Sequence, residues 1–168
     1  DLFIRSLGLN DGLLGDANIH GEWHHEVKGI YLDAHIREKD IAKSHVYGYI
    51  YPIKPTSALD LQIEADSTNL KFIEHYMSSI TPEFNGRASG NVHFYGKFKG
   101  LTMEGRVLGD ASMKVDVLNT TFFIKDSILI EPNGLTFHNN RIFDPQGNQG
   151  NVNGYLHYEH FKNLEYRF

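Results

Sequence analysis

Leu59-Asp60-Leu61-Gln62-Ile63-Glu64-Ala65-Asp66 decides the fold. Apolar and polar residues alternate one for one, and successive side chains of a strand point to opposite faces. A strand here has one greasy face and one wet face. The same pattern recurs on either side. Ile30, Leu32, Ala34 and Ile36 alternate with Tyr31, Asp33, His35 and Arg37. Val92, Phe94 and Phe98 alternate with Asn91, His93, Tyr95 and Lys97. Ala111, Met113, Val115 and Val117 alternate with Ser112, Lys114 and Asp116, and Ile128 and Ile130 with Leu129 and Glu131. Clean alternation favours antiparallel or solenoid-like sheets over a sheet buried on both sides. The expected fold is all-β.

One segment reads differently. Leu70, Ile73, Met77 and Ile80 fall at helical spacing behind Ser67, Thr68 and Asn69 as candidate caps, and Pro82 stops the run. This predicts one short helix over about 70–80, placed to cap one end of the sheet. Asn10-Asp11-Gly12, Glu131-Pro132-Asn133-Gly134 and Asp144-Pro145-Gln146-Gly147 read as turns. A loose repeat relates Gly15–Gly21, Gly86–Gly96 and Gly147–Gly154. Glycines recurring inside strands imply bends or close backbone approach, as in a sheet that curls on itself. No linker or low-complexity stretch divides residues 1–168, so one unit is expected. Asp1-Leu-Phe-Ile-Arg5 and Leu164-Glu-Tyr-Arg-Phe168 both read as strand interiors, which predicts a segment cut from a longer protein.

Composition narrows the function. The formal charge is −5, against a general nucleic-acid binder, which needs clustered Lys and Arg. No cysteine is present, so disulfides, thiolate chemistry and Cys-ligated zinc drop out. No run of about 18 apolar residues exists to span a bilayer as a helix.

The ten histidines raise metal and acid–base chemistry. His20, Glu22, His24 and Glu26 share one strand face, with His25 beside them, and could hold zinc. A solvated strand face opposite Ala17, Ile19 and Trp23 explains them more simply. His157, Glu159 and His160 read as a wet edge, and His93 and His138 as structural histidines. Gly86-Arg-Ala-Ser-Gly90 lacks the spacing of a nucleophile elbow. Asp144-Pro-Gln-Gly lacks the acidic ladder of a calcium loop. The reading therefore expects no enzyme, no catalytic residue, no metal and no cofactor.

Gly86-Arg-Ala-Ser-Gly-Asn-Val-His-Phe-Tyr-Gly-Lys-Phe-Lys-Gly-Leu-Thr-Met-Glu-Gly105 resembles the G-x-x-x-G-x-V-x-φ-x-G pattern of the TamB/AsmA-like envelope proteins, φ being apolar. The resemblance runs on through Asp110-Ala-Ser-Met-Lys-Val-Asp-Val117, Asn119-Thr-Thr-Phe122 and Ile128-Leu-Ile130. It ends in Phe143-Asp-Pro-Gln-Gly-Asn-Gln-Gly-Asn-Val-Asn-Gly-Tyr-Leu-His157 with Phe161. It covers about half the chain. Tyr95 and Lys97-Phe98-Lys99 depart from the small-apolar and Pro-containing turn usual there.

The resemblance implies a taco-like folded β-sheet (a β-taco) with an apolar interior. It implies a parent anchored in the inner membrane, crossing the periplasm and meeting a BamA-class outer-membrane barrel. It further implies phospholipid transport and support of outer-membrane assembly. Phe94, Phe98, Val107, Met113, Val115, Val117, Ile128 and Ile130, with Leu59, Leu61 and Ile63, would line the lipid groove. The alternative is a structural or docking β-module with a closed core that binds a partner by strand addition. A carbohydrate-active or metal hydrolase would need metal at His20–Glu26. Whether the protein's own side chains fill the apolar face separates the first two.

Overall fold

In the computed structural model, described for residues 1–53, 58–74, 81–159 and 162–167 (Val117, 158–159 and 162–166 by backbone alone), the chain is all-β. The strands are β1 (Leu2–Leu9), β2 (Gly12–His24), β3 (Gly29–Glu38), β4 (Ala42–Tyr51), β5 (Ala58–Asn69), β6 (Phe84–Lys97), β7 (Gly100–Val115), β8 (Thr120–Glu131), β9 (Gly134–Phe143), β10 (Gln149–Glu159) and β11 (Lys162–Arg167). They form one 11-stranded sheet in the order of the sequence, each strand antiparallel to the next, and the sheet does not close on itself. The alternation and the short turns dictate this meander, because each strand finds its neighbour through a tight connection. Tight turns stand at Asn10-Asp11, Pro132-Asn133 and Pro145-Gln146, as the sequence predicts.

The sheet is bent. β2 approaches β5 although β3 and β4 lie between them in the sheet. Asn10 Nδ2 donates to the Phe72 carbonyl at 3.0 Å, tying the β1–β2 turn to the segment after β5. Arg87 on β6 reaches Glu38 at the end of β3, 2.9 Å away. Glycines permit the bend. Gly48 (φ +138°) and Gly105 (φ +155°) have a backbone that L side chains rarely adopt, and a Cβ on either would meet a neighbouring carbonyl oxygen at 2.2 Å.

Only the start of the predicted short helix falls within the described residues. Its described part is a 3₁₀ turn, Lys71–Ile73, running into Glu74. The Leu70 amide is taken by the Gly86 carbonyl and the Lys71 amide by the Asn69 side chain, so strand contacts hold the start of the segment. Residues 75–80, including Met77 and Ile80, lie outside the described residues. A second 3₁₀ turn, Asp116–Leu118, joins β7 to β8.

Candidate functional site

Cross-strand partners share a face, so the register assigns every strand residue to one side. One row of partners runs Leu2, Ile19, Ala34, Val46, Ile63, Val92, Gly105, Ile130, Leu135 and Leu156, from β1 to β10. No member is polar. A second row beside it runs Gly21, Leu32, Gly48, Leu61, Phe94 and Met103. A third carries Ala17, Ile36, Ser44, Ala65, Gly90, Val107 and Ile128, with Ser44 as its single polar side chain. One side of the sheet is thus apolar across ten strands.

This face lacks a packed second layer among the described residues. Among the described residues only eight apolar side chains are buried, and five of them are alanines: Ala17, Ala34, Ala42, Ala88 and Ala111. The others are Leu61, Ile130 and Leu156. The largest fully buried side chain is Thr81. A β-sandwich of this length would bury many large side chains between its sheets. Ile19, Val46, Ile63, Val92, Phe94 and Ile128 are instead half-exposed. Cover is greatest where β2 bends toward β5. There Ala17 has no exposure, which a small residue on an open flat sheet could not reach.

Nine of the eleven groove residues expected from the sequence lie on this face: Leu59, Leu61, Ile63, Phe94, Val107, Met113, Val115, Ile128 and Ile130. Two do not join it. Phe98 belongs to the β6–β7 turn and is 47% exposed, because the strand ends at Lys97 and the chain reverses within two residues. Val117 is in the 3₁₀ turn that follows Val115, where the strand period is lost. The face is a bent surface of an unclosed antiparallel sheet, consistent with the curled, taco-like sheet expected. Two shallow depressions are lined mainly from the other side, one of about 820 Å³ beside Asn91, Arg106, Leu108 and Leu129, one beside His35, Lys43, His45 and Glu64.

The polar side carries a repeated unit. His45-Val46-Tyr47-Gly48 and His93-Phe94-Tyr95-Gly96 present a histidine stacked beside a tyrosine, at 4.6 and 4.3 Å between ring centres. His45 Nε2 meets Asp33 Oδ1 at 2.9 Å and its Nδ1 lies 3.8 Å from Glu64. His93 Nε2 meets Asp60 Oδ1 at 2.6 Å and its Nδ1 lies 3.6 Å from Glu104. Tyr47 donates to Glu64 at 3.1 Å, and Tyr95 to Glu104 at 3.4 Å. The Tyr47 hydroxyl is held above its usual range chiefly by that bond to Glu64. Tyr95 is raised first by burial and then by Glu104.

His35 stacks directly on His45, with ring centres 4.3 Å apart and planes 6° from parallel. Sequence reasoning singled out His20–Glu26 and missed this pair. In the structure His20 pairs with Asp1 at 2.6 Å, and His24 contacts Tyr49 at 3.0 Å and Glu22 at 3.6 Å. These imidazoles meet separate partners and do not converge. The alternation put His35 on the wet face, His45 was not singled out, and only the β3–β4 register sets them opposite each other.

No protein-family model, curated protein or solved structure matches this chain. The sheet surface and its chemistry therefore carry the functional reading.

Proposed function

We propose that the chain is a segment of a bridge-like protein of the cell envelope that carries phospholipid acyl chains along its apolar sheet face. The parent protein would be anchored in the inner membrane, cross the periplasm and support outer-membrane assembly, as the resemblance to TamB/AsmA-like proteins implies. The supporting observation is the unbroken row from Leu2 to Leu156, apolar or glycine on ten consecutive strands and without a packed second layer among the described residues. At the usual strand spacing that row extends roughly 43 Å.

The physics suits this cargo. An acyl chain in water costs about 0.8 kcal/mol per methylene, so one of about 16 carbons faces roughly 13 kcal/mol as an upper bound. A continuous apolar track lowers that barrier at every step. Charged head groups stay in water, so the track needs no convergent polar site. The half-exposed side chains can contact a chain laid across the strands.

Docking to a BamA-class barrel by strand addition is the second reading. β1 is the outer strand at one side of the sheet, and its Leu2 and Phe3 are 56% and 53% exposed. Such an edge invites another strand.

Photocrosslinking separates the two. A photoreactive amino acid at Phe94, Met103 or Ile128 sits on the apolar face, and one at His93, Glu104 or Lys125 on the polar face. Irradiation in cells, followed by mass spectrometry of the adducts, is expected to give lipid at the first set alone. Lipid at neither set would overturn the lipid reading and leave the docking module.

A further inference from the structure

We propose that Asp33, His35 and His45 form a binding site for a divalent transition-metal ion of the zinc type. The three ligand atoms lie within 4.8 Å of one another. Asp33 Oδ1 is 2.9 Å from His45 Nε2 and 3.4 Å from His35 Nε2. In tetrahedral zinc with bonds near 2.0–2.1 Å, neighbouring ligand atoms stand about 3.3 Å apart, close to the spacing here, and the stacked His35 and His45 rings must tilt out of parallel so that both in-plane lone pairs meet one ion. Two imidazoles and a carboxylate suit zinc and its neighbours in the first transition row better than calcium or magnesium, which prefer all-oxygen shells.

The scaffold holds these groups in place. His35 and His45 are direct cross-strand partners on β3 and β4, and Asp33 stands two residues from His35 on the same face. The His45 ring lies between His35 on one side and Tyr47 on the other. Its Nδ1 faces the Glu64 carboxylate, which Tyr47 in turn holds by a hydrogen bond. With an ion taking the place of the His45 Nε2–Asp33 hydrogen bond, Glu64 at the outer nitrogen would stabilise a proton on Nδ1, the arrangement common around metal-bound histidine. All three side chains are partly exposed, so the ion has an entry path and a fourth position open to water.

The sister unit marks what the site requires. His93 has the same tyrosine and the same flanking carboxylates, but its two nitrogens face Asp60 and Glu104 on opposite sides. Its cross-strand partners are Gln62 and Glu104 rather than a second histidine. The unit offers one imidazole and no converging set, which makes His93 an internal control. The site lies on the polar face and does not depend on the lipid reading.

The test is titration of the whole chain, first stripped with a chelator, with Zn²⁺ by calorimetry and with Co²⁺ by visible absorption. One equivalent is expected to bind, with the intense visible bands of a four-coordinate cobalt centre. His35→Ala and His45→Ala are each expected to weaken binding by at least about a hundredfold, the upper end of the loss for an outer-sphere partner. Asp33→Asn should weaken it too, and His93→Gln should leave it unchanged. Circular dichroism would verify that each variant retains the sheet. Failure to bind either ion at micromolar concentration would overturn the proposal. So would binding that survives both histidine variants, or that His24→Ala removes instead.

Discussion

Gly12 lies directly against the backbone of Phe72: a Cβ built on Gly12 would stand 2.5 Å from the Phe72 nitrogen. Gly12 opens β2 and Phe72 follows β5, so this contact closes the bend of the sheet at one end. Gly12→Val is expected to push the two apart. Overpacking of this kind costs about 1–3 kcal/mol. Urea denaturation should register that loss, and small-angle scattering a more open sheet. A variant with unchanged stability and scattering would mean that the contact does not hold the bend.

Asn140 replaces a missing piece of the β8–β9 ladder. The register slips between Ile124 and Leu129, and the buried Asn140 side chain fills the gap. Its amide donates to the Ser127 carbonyl at 2.7 Å, and its oxygen accepts from the His138 amide at 2.7 Å. Asn140→Ala would leave both backbone groups without that partner, at about 1–3 kcal/mol for an unsatisfied buried group. Asn140→Asp keeps the acceptor, and near pH 4 its buried carboxyl can hold a proton that donates to Ser127, so it should fall between wild type and alanine there and lose more at pH 7, where the carboxylate has no donor. A loss equal to that of alanine at both pH values would mean that these two bonds do not carry the effect.

The sheet was legible in the sequence because alternation reports local geometry. Leu59 to Asp66 needs no distant partner to read as a strand, and the turns carry their own chemistry. Nine of the eleven face residues followed from period alone. Phe98 departed where the period continues in the sequence but the chain turns. Of the predicted helix, the start is described, and there the Asn69 side chain accepts from the Lys71 amide, as a capping residue does. The stacking of His35 on His45 depends on register between strands, which no single segment encodes.

Glu38 and Arg87 differ from the other lysine and arginine ion pairs in their shielding. Their side chains are 15% and 32% exposed, and Arg87 also donates to the Ser67 carbonyl at 2.7 Å. Lys125 and Asp110 pair at 3.0 Å but are more than 60% exposed. Surface pairs contribute about 0–1 kcal/mol, whereas breaking a shielded pair strands a charge. Arg87→Met is therefore expected to destabilise more than Lys125→Met, by about 1–2 kcal/mol against at most about 0.5 kcal/mol. Denaturation of both variants at low and high salt measures the contrast. The Lys125 effect should vanish in salt, and the Arg87 effect should persist.

Asp144 ties down the β9–β10 turn through its charge. Its carboxylate accepts from the Asn148 side-chain amide at 2.7 Å and from the backbone amides of Asn148 and Gln146 at 2.8 and 2.9 Å. The Asn148 amide is the first cause holding its pKa below the usual aspartate range, and the backbone donors add to it. A group with a depressed folded pKa stabilises the fold at pH values above its unfolded pKa, near 4. That stabilisation disappears as pH falls through the lower folded value. Wild type should thus melt above Asp144→Asn at pH 7, and the gap should shrink steadily below about pH 4. Melting curves of both proteins from pH 7 to pH 2 test this. A gap that stayed constant across that range would assign the difference to turn geometry, because only the ionised carboxylate is lost on acidification.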